Sequence, residues 1–208
     1  MLTSAIYGAL KGRRSIHRYL QKGIPEVVLR RVLDAARWAP SAHNAQPWQF
    51  IVIQDLMVKR KLAEAMASDW DKDLRKNGVS VSERERLIKA SLETFTSSPN
   101  LIVACLTMED MDRYPDKRRQ RAEYLMGVQS VAAAIQNMLL ATYAEGLGTC
   151  WFCAPLFCQK TVKEVLRLPE NVEPQALITI GYPAERPEAP PRKPLKSVVR
   201  HNYWRETK

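Results

Sequence analysis

The sequence predicts an α+β fold, on three observations. Short apolar, β-branched runs read as strands at 49–54 (QFIVIQ), 101–106 (LIVACL) and 176–181 (ALITIG). Helical periodicities lie between and around them without a regular β-α-β rhythm. One segment, from about Arg121 to Ala144, carries Val128, Val131, Ala132, Ala134, Ile135, Met138, Leu139 and Ala141 over most of a helical circumference.

Thr3 to Leu10 suits a short helix that stops around Gly12. Pro25 stands where a proline is tolerated, in the first turn of a second helix. There Val28, Leu29, Val32, Leu33 and Ala36 share one face, and Pro40 ends the segment. Residues 56–68 read as helix. Residues 69–99 are densely charged, broken at Asn77-Gly78, with a possible helix from Ser82 to Phe95. They fit either a mobile excursion over a site or a solvated helical hairpin. Asp110 to Arg119 reads as a charged loop carrying Pro115. The long helix after it must be central or lie at a subunit interface, because a helix apolar nearly all round needs cover on all sides. Gly146 caps that helix, Thr149 to Cys153 reads as strand, and Lys160 to Leu168 as helix. Residues 183–208 hold five prolines between Pro183 and Pro194, followed by Leu195, Val198, Val199, Tyr203 and Trp204. These apolar anchors predict an ordered arm packed on another surface, such as a second subunit.

At 208 residues the chain fits one domain, without internal repeats or low-complexity segments. No run reads as apolar enough to cross a bilayer. At the start the charges follow the apolar residues, the reverse of a secretory signal, so the expected location is cytoplasmic. A net charge of +10 calls for an anionic partner. The basic residues fall in small groups with no zinc-finger or helix-turn-helix pattern, so nucleic acid is not indicated. Of the four cysteines, Cys150 and Cys153 form a C-x-x-C. A redox or zinc role would need a helix start or a second ligand pair, and the spacing of His17, His43 and His201 supplies none. No metal site is expected.

Three clusters suit ligand binding. Arg13, Arg14, Ser15 and His17 are a compact set of donors, and an arginine fork matches a phosphate bidentately. Read alone, they would equally be a solvated basic turn. Ser41, Asn44 and Gln46 lie between a helix end and a strand, and mix donors with acceptors as a heteroaromatic ring edge requires. Arg192 and Lys193, with Lys196 nearby, form a charge run that becomes a second phosphate clamp if the arm is anchored. The sequence has no G-x-G-x-x-G after a strand, no P-loop, no G-x-S-x-G and no H-E-x-x-H.

The order R-R-S, then A-P-S-A-H-N-A-Q-P-W-Q-F-I-V, then G-L-G-T-C-W, then R-K-P-L resembles the nitroreductase family from about residue 6 to 204. Within it, APLFC and EPQALITIGYP are similar to the flavin-dependent reductase domain of the bifunctional enzyme that makes the deazaflavin coenzyme. The resemblance implies a central, mostly antiparallel sheet flanked by helices in an intertwined homodimer, with FMN bound between subunits. Arg13, Arg14, Ser15 and His17 would hold phosphate, ribityl chain and ring edge. Ser41 would come from the neighbouring subunit, with Asn44 and Gln46 near the ring, and Arg192 with Lys193 would clamp the phosphate. Cys153 and Ala154 stand where family members often show a glycine or a carboxylate, leaving their backbone N–H groups to serve. The implied activity is ping-pong transfer from NADH or NADPH, through FMN, to nitroaromatics, quinones or related small acceptors. Two alternatives are a reductase acting on a deazaflavin coenzyme or its precursor, and a flavin-binding protein without turnover. Hydride chemistry belongs to the cofactor, so no protein acid–base pair is required.

Overall fold

A computed structural model describes residues 2–204; the last four residues of the expected C-terminal arm lie outside them. The described residues form seven α-helices and one four-stranded sheet, in the order α1 (Leu2–Gly12), α2 (Glu26–Arg37), β1 (Trp48–Ile53), α3 (Leu56–Lys76), α4 (Val81–Ser97), β2 (Asn100–Thr107), α5 (Lys117–Ala144), β3 (Gly148–Phe152), α6 (Gln159–Leu166), β4 (Val172–Gly181) and α7 (Leu195–Val198). The sheet order is β1-β2-β4-β3, and every neighbouring pair is antiparallel. The chain is α+β, as the sequence predicts.

β2 explains the architecture. It is buried along its whole length, and its side chains alternate between two cores. Ile102, Ala104 and Leu106 face Leu29, Val32, Ala36, Val131, Ile135 and Met138, on α2 and α5. Leu101, Val103 and Cys105 face Leu62, Met66, Phe95 and Val162, on α3, α4 and α6. A strand covered on both faces reads as a continuous apolar run, hence LIVACL. The register against β4 shifts between Ala104 and Cys105, and Pro174 sits at that irregularity, where a strand proline is tolerated.

Helix ends follow their caps. Asp116 accepts from Arg119 N at 2.9 Å, so α5 begins four residues earlier than its apolar pattern. Asp55 accepts from Val58 N at the start of α3, and Ser80 from Glu83 N at the start of α4. Gly146, at φ 72, turns the chain out of α5. The buried Lys59 donates to Ser98 O at 2.7 Å and Pro99 O at 3.1 Å, fastening α3 to the α4–β2 junction.

The charged stretch 69–99 is the end of α3, a short turn and α4, packed as a helical hairpin. It is tied internally by Arg84 and Asp71, and to α6 by a hydrogen bond from Thr161 to Asp69. Two findings amend the sequence expectations for α5. By length and composition it is apolar enough to span a bilayer, with mean hydropathy 1.3 over its most apolar 18 residues. It packs instead against α2 and three strands as a core helix. Within the chain only one of its faces is fully buried; Leu125 and Tyr143 are exposed and Leu140 half-buried. The arm beyond Glu185 runs exposed through α7 to Trp204, except for the half-buried Arg200.

Candidate functional site

The segment after α1 lies along the edge strand β3. Ile16 N donates to Thr149 O at 2.9 Å, and Ser15 pairs beside Thr149. Tyr19 then pairs with Pro183, and its buried hydroxyl donates to Ile16 O at 2.5 Å while meeting Thr179 Oγ1 at 2.7 Å. Gly148 permits this approach, since a Cβ there would lie 2.6 Å from Ile16 Cγ1. The order of the motif residues is thus set by backbone pairing to β3 and to the residues following β4.

Beside these contacts lies an open cavity of about 580 Å³ lined by Arg13, Arg14, Gly148, Thr149, Glu185 and Arg186, among others. That volume lies within the range of about 300–1,000 Å³ typical of small-molecule sites. Arg14 Nη1 donates to Lys11 O and Arg13 O, while its buried Nε has no partner among the described residues. Glu185 accepts from His17 N at 2.6 Å and Arg18 N at 3.1 Å. The His17 ring reaches over β3, with Nε2 3.8 Å from Cys150 Sγ and its centroid 5.9 Å from that of Phe152. Burial raises the Cys150 thiol above its ordinary range, against the opposing pull of Ser15 and Arg13. Cys150 is buried and Cys153 exposed, both as free thiols. Cys153 and Ala154 follow β3, where Cys153 precedes a short 3-10 turn and Leu156 N donates to Cys153 O.

The second cluster is built at the other end of the sheet, ahead of β1. Its backbone is unusual: His43, Asn44 and Gln46 have φ of 55, 54 and 48, a left-handed region that non-glycine residues seldom adopt. Ser41 Oγ accepts from Gln46 N at 3.0 Å, and Ala42 N donates to Ser130 Oγ at 3.2 Å. His43 stands against two carboxylates of a different region. Its Nε2 lies 3.2 Å from Glu123 Oε1 and 3.8 Å from Asp112 Oδ2.

Within one chain the two clusters are apart. The Ser41 turn docks on α5 at Ser130, whereas Gly12 packs on Tyr143. Those points are separated by about 20 Å of helix at 1.5 Å per residue. Arg192 and Lys193 are also apart from the cavity's lining, on the exposed arm, where Arg192 donates only to Pro190 O among the described residues. The cavity gathers Arg13 and Arg14 and adds Thr149, Glu185 and Arg186, which no sequence motif singled out as site residues; Ser15 and His17 lie on the same segment but outside its lining. Backbone pairing across more than 130 residues brings these together, so no local signal marked them.

The profile of the Nitroreductase family matches residues 10–182. A protein of Thermus thermophilus named NADH dehydrogenase is 32% identical over 207 residues, covering 95% of this chain and 94% of its own length. A Methanothermobacter thermautotrophicus protein named for NADH dehydrogenase/NAD(P)H nitroreductase is 30% identical over 181 residues, covering 86% of this chain and 78% of its own. Among solved structures, a Desulfovibrio desulfuricans nitroreductase in complex with FMN superposes with a TM-score of 0.72 at 25% identity, covering 96% of this chain and 97% of that one. The chain belongs to the nitroreductase family, and is an oxidoreductase by class.

Proposed function

We propose that the chain is an FMN-dependent oxidoreductase that takes electrons from NADH or NADPH and passes them to nitroaromatics, quinones or related small acceptors. The observation that carries the reading is the cavity beside β3, lined by Arg13 and Arg14, where the buried Arg14 Nε has no partner among the described residues. An anionic, ring-bearing cofactor fits that donor set: guanidinium groups suit a phosphate, and Ser15 and His17 supply directional contacts along the edge strand. When bound, FMN would supply the hydride and electron transfer.

The chain's residues would bind, orient and exclude water. Arg13 and Arg14 would hold the phosphate, with Ser15 and His17 placed by the pairing to Thr149. Cys153 and Ala154 would offer backbone N–H groups near the ring edge. Cationic side chains around the cavity would favour an anionic reduced cofactor.

The second half of the set, Ser41, Asn44 and Gln46, would come from a second copy of the chain. Three uncovered apolar features support a homodimer: the outer face of α5, Trp38 at 73% exposure, and the arm carrying Leu195, Val198, Tyr203 and Trp204. Arg192 and Lys193 would reach a phosphate on that partner.

A deazaflavin coenzyme or its precursor is the second acceptor class. The exposed basic groups Arg186, Arg192, Lys193 and Lys196 around the arm would suit its acidic tail.

The test is the absorption spectrum of the purified protein, identification of any released chromophore, and anaerobic mixing with NADH or NADPH. FMN released on denaturation and bleached by either donor is the expected result. A colourless protein that takes up no added FMN rejects the reading. Flavin that neither donor bleaches leaves a binding protein without turnover.

A further inference from the structure

We propose that His43, Asp112 and Glu123 form a binding site for one divalent transition-metal ion of the zinc class. The three residues come from separate segments: the turn before β1, the loop after β2, and the second turn of α5. Each offers one ligand atom, and the three atoms lie within 4.8 Å of one another. His43 Nε2 is 3.2 Å from Glu123 Oε1 and 3.8 Å from Asp112 Oδ2. Ligands at 2.0–2.1 Å in a tetrahedral zinc site stand about 3.3 Å apart. His43 Nε2 and Glu123 Oε1 have that spacing, and Asp112 Oδ2, 3.8 Å from His43, would close in on a bound ion.

Glu123 is the independent observation. Its side chain is 0% exposed, and Oε2 has no hydrogen-bond partner among the described residues, while Oε1 accepts from Asp112 N at 3.0 Å. A buried carboxylate with an empty oxygen is costly unless a cation compensates it. A divalent ion would balance Glu123 and Asp112 together, with His43 as a neutral imidazole donor. One imidazole and two carboxylates form a nitrogen–oxygen set suited to zinc, cobalt or manganese. Magnesium, which keeps most of its waters, has less use for the histidine. His43 and Asp112 are half open to solvent, at 44% and 58% side-chain exposure, which gives an entry path and room for a water at the fourth corner. The ion would cross-link the Ser41–Gln46 turn to α5, holding three left-handed residues that have no glycine among them. Within one chain its ligands lie about 20 Å or more along α5 from the Arg13 cavity. The Ser41–Gln46 turn is the one assigned to the partner's flavin site, but zinc uptake is read directly and not through flavin, so its failure and the failure of the flavin reading are distinguishable.

The experiment is calorimetric titration of the chelator-treated, gel-filtered protein with zinc chloride, and separately with magnesium chloride. It uses the wild type and the variants Asp112→Asn, His43→Gln and Cys153→Ser, with circular dichroism confirming the fold of each. The exposed ligands are chosen because Glu123→Gln alters a buried group. One zinc per chain is expected, unaffected by a hundredfold excess of magnesium, weakened at least tenfold in Asp112→Asn, abolished in His43→Gln and unchanged in Cys153→Ser. Absence of stoichiometric zinc uptake overturns the proposal. So does uptake that survives both ligand substitutions, or that disappears with Cys153.

Discussion

Arg84 Nε donates to Asp71 Oδ1 at 2.8 Å, and the same guanidinium donates to Val79 O at 3.2 Å, so one side chain ties α3, the turn and α4 together. The hydrogen bond from Arg84 is the main cause holding the Asp71 carboxyl below its ordinary range, with burial opposing it. Asp69 is lowered in the same way by Lys72 and Thr161. A carboxyl with a lowered folded pKa contributes stability that is complete above its unfolded value, roughly 4, and is lost as pH falls through the folded value. Amide exchange across 69–97 should therefore accelerate as pH is lowered from about 4, relative to the sheet. Asp71→Asn should show that faster exchange already at neutral pH. Exchange in 69–97 that tracks β2 at every pH would contradict this.

Gly148→Ala should disturb the cavity before it disturbs the fold. The new methyl would sit 2.6 Å from Ile16 Cγ1 and 2.9 Å from Ile16 Cβ, pushing the Arg13–Ile16 segment off β3. Overpacking of this kind costs about 1–3 kcal/mol. Flavin affinity, measured by fluorescence titration, should fall at least tenfold, on the order of 1.4 kcal/mol. Unaltered affinity would remove the Arg13–Ser15 segment from the proposed site.

Tyr19→Phe separates architecture from chemistry. The buried hydroxyl bridges Ile16 O and Thr179 Oγ1, and its loss leaves both short of a partner. Removing one partner of a buried hydrogen bond costs about 1–3 kcal/mol. Urea denaturation should show a lower midpoint at an unchanged slope. A midpoint equal to the wild type would mean that the bridge contributes nothing.

The distance between the two polar clusters gives a test of subunit sharing. Arg13→Ala and Ser41→Ala variants should each lose flavin. When the two are unfolded together and refolded, random pairing would rebuild an intact site in about a quarter of positions if each site draws on both chains of a symmetric dimer. If each site lies within a single chain, mixing restores none.

Much of the fold was legible because apolar period and chain breakers carry it. LIVACL could only be a strand covered on both faces, and Gly146 marked the end of α5. The start of α5 at Lys117 was hidden behind a charged turn, since Asp116 acts as its cap through geometry and not through pattern. The α3–α4 hairpin read ambiguously because it buries few side chains, Leu74 and Phe95 among them, in a charged stretch. The left-handed backbone of His43, Asn44 and Gln46 left no mark, because glycine usually signals that conformation. Glu185, Asp112 and Glu123 reach their neighbours only through tertiary pairing.

Cys105 stands at the centre of β2, fully enclosed, with burial pushing its thiol up to about 12. At neutral pH it is neither ionised nor within reach of a reagent while the sheet is closed. Because β2 is paired to β1 on one side and to β4 on the other, and helices cover both of its faces, exposing this sulfur requires the whole domain to open. The chain thus carries a built-in reporter: the slow alkylation of Cys105, followed by mass spectrometry against the prompt reaction of Cys153, times global unfolding in any solution or lysate, without a label.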